Sequence, residues 1–274
     1  MKDLFSTVYC VDTGLQTGER NMSLDRCLMQ ALLDGRFSAK YGANSCLWRF
    51  YGWHPHAVTL GYNQDITHID AGLCAKEGVD IVRRPTGGRA VFHAEEFTYS
   101  FFSGLDIPNS SLYRMVHQVI MSALRELGIH AEFCRSTLDE AAAKKLPVTC
   151  FTSSARYELQ VNGRKLVGSA QRRTGNVLLQ HGSLPFTQKH KDLCRFISYP
   201  DDETALTTRY EMERKTISLE EVLGYIPPYP MMSGLMQKAL ALHSGPSIIM
   251  LEQSEIEEFV QHAELVICKT YETL

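Results

Sequence analysis

Apolar positions recur along the chain with two periods, and the change from one to the other marks out its elements. Over Asn21–Gly35, residues Leu24, Cys27, Leu28, Ala31 and Leu32 fall on one face at helical spacing, and Gly35 closes the helix. The spacing returns over Asn109–Leu127 in Leu112, Val116, Val119, Ile120, Ala123 and Leu127, with Asn109-Ser110-Ser111 as capping residues and Gly128 as the stop. Short runs rich in Val, Phe, Tyr and Thr predict strands at Phe5–Val11, Cys46–Tyr51, Ala57–Gly61, Val79–Arg84, Arg89–His93, Phe97–Phe102 and His130–Cys134. Three more strands follow at Ala155–Val161, Lys165–Gln171 and Asn176–Ser183. Asn162-Gly163 is a hairpin signal between the first two of these, and Gly175-Asn176 marks a turn before the third. A short helix is expected over Ala71–Gly78, and Asp139–Lys145 reads as a polar loop with some helical character. Beyond Gln188 the pattern turns helical, at His190–Ile197, Ser218–Gly224, Pro230–His243 and Ser254–Cys268.

Strands joined mainly by hairpins, with helices inserted rather than alternating, predict an α+β fold. It has an α/β-type mixed sheet with flanking helices and is not doubly wound. The expected organisation is one domain over 1–274 with a helical part from about 188–274. Pro227-Pro228-Tyr229-Pro230 is read as a loop within it.

Composition narrows the class without naming a function. The 274 residues are 44% hydrophobic and 22% charged, as in ordinary globular proteins that bury a large core. A net charge of −3 gives no global reason to expect nucleic acid or a membrane surface. The start, MKDLFSTVYCVDTG, has no long apolar run, so the expected compartment is the cytoplasm. The 8 cysteines include no CxxC pair, and most read as small thiol-bearing core residues. No spacing of His, Cys and Asp points to a metal site.

Two segments concentrate chemistry. Arg83-Arg-Pro-Thr-Gly-Gly-Arg-Ala-Val-Phe-His93 joins two strands through a Gly-Gly turn that lets backbone N–H groups approach a ligand. Arg83, Arg84 and Arg89 add permanent cations. Candidate binding residues here are Arg83, Arg84, Thr86, Gly87, Gly88, Arg89 and His93. The second segment runs from Cys150 to Phe186. Cys150 reads either as a buried structural cysteine or as a nucleophile activated by a nearby cation, with Lys165 the obvious donor. Lys165 follows a tight turn and reads either as a solvated hairpin residue or as a group aimed at a carbonyl. Gly168-Ser169-Ala170 is small enough for a backbone or an apolar ligand to pass close by. His181, in Leu-Gln-His-Gly-Ser, is either a hydrogen-bonded core histidine or a ligand-orienting group, and Gly182 follows it.

Taken together, Arg83–His93, Gly163-Arg-Lys-Leu-Val-Gly-Ser-Ala-Gln171 and Leu179-Gln-His-Gly-Ser183 resemble the Gly-rich, lysine and following-strand motifs of the biotin/lipoate protein ligase superfamily. Asn21-Met-Ser-Leu-Asp25 and Trp48–Gly61 fit the same resemblance. It implies the ligase–transferase fold, similar to class II aminoacyl-tRNA synthetases. Cys150-Phe151 and the Thr-Gly-Gly-Arg form of the glycine motif resemble the cysteine-dependent octanoyltransferases within that superfamily. One departure is Ala94, where many relatives carry Asp after the histidine. The resemblance implies octanoyl transfer from octanoyl-acyl carrier protein to a lipoyl-domain lysine, such as that of the glycine cleavage H protein. Cys150 would be the acylated nucleophile and Lys165 an oxyanion stabiliser, with no ATP or metal. The alternatives are an ATP-dependent lipoate–protein ligase and a non-catalytic acyl- or cofactor-binding regulator.

Overall fold

The structure, a computed structural model, describes residues 1, 3–135, 157–244 and 248–260. The first strand, β1 (Thr7–Gln16), continues past the apolar run that marks it, through a bulge at Gly14 where φ is +62°. Helix α1 (Gly18–Leu33) follows, its first turn capped by the Thr17 side chain, which accepts from the Arg20 N–H. A six-residue helix, α2 (Arg36–Tyr41), leads to β2 (Ser45–Trp53), which lies parallel to β1.

The chain then leaves the main sheet. β3 (Ala57–Leu60), α3 (Ala71–Glu77), β4 (Asp80–Arg83) and β5 (Val91–His93) build a small sheet in the order β4-β3-β5. β6 (Glu96–Ser103) returns to the main sheet, and α4 (Asn109–Glu126) packs on it. β7 (Glu132–Arg135), β8 (Tyr157–Val161), β9 (Arg164–Thr174) and β10 (Val177–Pro185) form an antiparallel run. After a 3₁₀ turn at Gln188–Arg195 come α5 (Asp202–Lys215), α6 (Leu219–Leu223), α7 (Tyr229–Ser244) and β11 (Ile248–Met250). Among the described residues the main sheet has eight strands in the order β11-β1-β2-β6-β10-β9-β8-β7.

Alternation along β2 explains the layering. Trp48 and Phe50 face α4 and α7, where they join Leu112, Val116, Met236 and Leu240. Leu47 faces the other way, into Leu24, Leu28 and Leu32 of α1. All of β2 is buried, as expected for a central strand covered on both faces. Val58, Leu60 and Phe92 of the small sheet bury against Leu193 of the 3₁₀ turn and Phe196 just after it.

The predicted mixed sheet with flanking helices is present, and each predicted strand of the main sheet is found within a few residues. Three details differ. Asn109 does not cap α4: the cap residue is Pro108, without a side-chain bond, and the Asn109 carboxamide accepts from Arg173 Nε at 2.6 Å. The His190–Ile197 helix is a 3₁₀ turn starting at Gln188. The Ser254–Cys268 helix is seen over 253–260, and its remainder lies outside the described residues. Among the described residues no helix is long and apolar enough to cross a membrane.

Candidate active site

A cavity of about 320 Å³ opens between the small sheet and strands β9 and β10. That is the lower end of the range for small-molecule clefts, roughly 300–1,000 Å³. Its walls come from both segments singled out by their chemistry. Arg84, Gly87, Gly88 and His93 line one side; Lys165, Gly168, Ser169, Ala170, His181 and Gly182 line the other.

The glycines are required by contact as much as by conformation. Gly88 has φ +100°, and its carbonyl would stand 1.9 Å from a Cβ built on Gly61. The turn after β4 therefore packs backbone to backbone on the end of β3. A Cβ on Gly182 would meet Gly168 O, Ser169 Oγ and Tyr99 Cε1, all at 2.7 Å. Arg84 is buried and ties the loop from within. Its guanidinium donates to Thr59 O and Oγ1, both at 3.1 Å, to Gly87 O at 2.9 Å and to Arg89 O at 2.7 Å.

Lys165 is no solvated turn residue. The Asn162-Gly163 turn has φ +52° and +71°, the hairpin geometry expected of that pair, and delivers Lys165 to the buried side at 6% exposure. Its ammonium donates to Glu158 Oε1 across β8 and β9 at 2.8 Å. A buried lysine so held places a positive charge in the cavity wall at a fixed point.

Two buried polar networks stand behind the walls. In the first, Asp25 of α1 accepts from Arg49 Nη1 at 2.8 Å, Ser100 Oγ at 2.7 Å and His181 Nδ1 at 3.2 Å. Arg49 is 0% exposed, and Asn21 and Thr13 take its other N–H groups. Burial works against the Asp25 carboxylate, but the His181 hydrogen bond and the Arg49 charge hold its pKa below the ordinary value. His181 is shifted down, first by burial, and so is kept neutral. With Nδ1–H given to Asp25, Nε2 accepts from the Thr86 hydroxyl at 2.6 Å, which fixes the Gly-Gly turn to β10. The second network is centred on Glu96. It accepts from His93 Nδ1 at 2.8 Å, Thr98 Oγ1 at 2.5 Å and Ser183 Oγ at 2.6 Å. His93 Nε2 then accepts from Thr59 Oγ1 at 2.9 Å, and its ring stacks on Trp53 with centroids 4.1 Å apart. The carboxylate that steadies His93 thus comes from Glu96, three residues on, while Ala94 follows the histidine directly.

Three candidates stand apart from the cavity wall. Thr86 is buried behind it against His181. Arg83 turns outward, donating to the carbonyls of Gly61, Tyr62 and Gln64. Arg89 contributes its carbonyl to Arg84 and does not line the cavity. Cys150 lies outside the described residues. Among the described residues no group of three or more His, Cys, Asp and Glu side chains is placed to hold a metal. Sequence reasoning missed Asp25, Arg49, Glu96 and Glu158. The available signal was a charged residue at a core position, as with Arg49 inside Cys-Leu-Trp-Arg-Phe-Tyr and Asp25 on the apolar face of α1.

Residues 17–241 match the family described as "Lipoyl protein ligase A/B catalytic domain". Octanoyltransferase LipM of Geobacillus kaustophilus is 34% identical over 221 residues, covering 77% of this chain and 77% of that protein. Octanoyltransferase LipM of Symbiobacterium thermophilum is 35% identical over 220 residues, covering 78% of each. Among solved structures, the bi-partite lipoate protein ligase of Thermoplasma acidophilum superposes with a TM-score of 0.70 at 17% identity, covering 94% of this chain and 91% of that one.

Proposed function

The chain belongs to the lipoyl protein ligase A/B catalytic-domain family, and on that premise we propose that it moves an octanoyl group from a thioester donor to the lysine of a lipoyl domain. The observation that carries this reading is the cavity itself. It is walled by Gly87, Gly88 and Gly168 with the fixed ammonium of Lys165 at its side, in a chain a third identical to octanoyltransferases over three quarters of its length. Acyl carrier protein is the donor in this proposal and the glycine cleavage H protein a suitable acceptor.

In this proposal the chemistry is that of a cysteine acyl-enzyme. The Cys150 sulfur forms a bond to the octanoyl carbonyl carbon, the donor C–S bond breaks, and the donor leaves as a thiol carrying the proton. The lysine amine of the acceptor then forms the amide C–N bond as the Cys150 thioester breaks and the thiol is restored. Each tetrahedral intermediate puts negative charge on the carbonyl oxygen. Lys165 and the N–H groups of the Gly87-Gly88 turn are the donors available to meet it. The acyl chain lies along Gly168-Ser169-Ala170. A thioester has the transfer potential for both steps, so ATP is not needed. His181, Thr86, Asp25, His93 and Glu96 act as positioning residues that hold the loop and strands.

Intact mass after mixing with octanoyl-acyl carrier protein, without ATP, tests the reading. The wild type gains one octanoyl group and passes it to a lipoyl domain; Cys150→Ala gains none and transfers nothing. Transfer that requires ATP with free octanoate or lipoate, or that survives in Cys150→Ala, overturns it in favour of ligase chemistry.

A further inference from the structure

A second hollow, of about 450 Å³, lies on the outer side of the Arg83–Gly88 loop. It is lined by Arg26, Arg83, Arg84 and Arg172, by the Tyr62 ring, and by Met29, Leu33 and Pro85. Arg84 lines both this groove and the acyl cavity, so the two spaces adjoin at that residue.

Arg83 and Arg172 are oriented by carbonyl groups rather than by carboxylates. Arg83 donates Nη1 to Gly61 O at 2.7 Å, Tyr62 O at 3.0 Å and Gln64 O at 2.7 Å. Arg172 donates to Pro85 O at 2.8 Å and lies over the Tyr62 ring at 4.2 Å. Arg26 reaches Arg83 O at 3.3 Å. Of Arg26, Arg83 and Arg172, Arg26 alone meets a carboxylate among the described residues, the exposed Glu19 at 3.0 Å. Carbonyl partners fix the direction of a guanidinium and leave its charge standing. A chain of net charge −3 thus gathers four arginines around one groove beside its active cavity. Guanidinium forks match phosphate oxygens, and the Tyr62, Met29 and Leu33 surfaces suit an apolar linker beside the phosphate.

We propose that this groove binds the phosphate of the arm that presents the acyl thioester, so that the donor is held at its anion while its acyl end enters the cavity past Arg84. The inference rests on the octanoyl-transfer reading and adds to it how the donor is recognised.

The probes are octanoyl-coenzyme A, which carries phosphate, octanoyl-pantetheine, which does not, and octanoyl-acyl carrier protein. Wild type is expected to use octanoyl-coenzyme A at least tenfold better in kcat/KM than octanoyl-pantetheine, with the gap shrinking as salt is raised. Arg172→Gln and the exposed Arg26→Gln should each lower that ratio severalfold, mainly through KM. The idea fails if wild type does not prefer the phosphorylated donor, or if the variants slow both small donors equally, which would make the arginines loop staples. It also fails if the variants impair only the carrier-protein donor, because the groove would then read the carrier's acidic surface. Absence of transfer from every thioester would instead sink the octanoyl-transfer reading itself.

Discussion

Gly182 and Gly87 both line the cavity, yet they make opposite demands on the space around them. A methyl group at Gly182 would stand 2.7 Å from Gly168 O and Ser169 Oγ of β9 and from Tyr99 Cε1 of β6, the strands paired on either side. Gly182→Ala should therefore cost about 1–3 kcal/mol, the usual range for overpacking, and lower activity by shifting β9. At Gly87 a Cβ meets nothing within 4 Å, so Gly87→Ala should leave stability nearly unchanged. Urea unfolding of the two variants checks the contrast, and equal midpoints would contradict it. Asp25, Arg49 and Glu96 are buried with most of their partners on other elements, so the sequence marks them only as charged residues at core positions and leaves their pairing to the fold.

At the scale of elements, the β8–β9 hairpin is the piece on which the cavity's charge depends. Glu158 and Lys165 face each other across it, seven residues apart, and both are buried. Glu158→Ala removes the carboxylate from a buried ammonium and should destabilise the fold by about 3–5 kcal/mol, whereas Glu158→Gln keeps a hydrogen-bond acceptor and should cost less. If the two variants melt alike, charge pairing is not what holds the hairpin. This hairpin was legible in the sequence because Asn162-Gly163 and the flanking alternation are local signals. The strands of the main sheet from β1 to β10 were legible for the same reason. Helix α5 was not: its sequence is polar almost throughout and buries only Thr208 and Met212, so no apolar stripe announces it. β11 is three residues at a sheet edge, too short for a pattern to register. The split into two sheets was also hidden, because pairing partners are chosen across the whole chain. The site shows the same division. Arg84, Gly87, Gly88, His93, Lys165, Gly168–Ala170, His181 and Gly182 sit in two contiguous motifs and converge on one cavity. Arg83 belongs to the same motif but strand alternation turns it outward.

At the scale of the whole molecule, buried neutral histidines set how the fold responds to acid. Burial lowers His117 to about 4, aided by the nearby Lys165 charge and opposed by its bond to the Tyr113 carbonyl. Burial also lowers His190 to about 4, where its ring bridges Thr187 O and Thr216 Oγ1. The unfolded chain takes up these protons near pH 6.5 and the folded chain only near 4, so the unfolded state binds more protons in between. Stability is therefore full above about pH 6.5 and is lost as pH falls toward 4, by on the order of 3 kcal/mol for each histidine at the low end. Asp25, held below its ordinary range, adds a further loss at more acid pH as its carboxylate is protonated. Urea midpoints at pH 7, 5.5 and 4.5 should fall steadily, and His190→Gln should flatten the curve. A midpoint unchanged between pH 7 and 4.5 would refute this account.

The Gly61–Gly88 contact reaches furthest into what such a cavity can accept. Where backbone rests on backbone, no rotamer is available to swing aside, so the stretch of cavity wall at Gly88 keeps its place when a guest arrives.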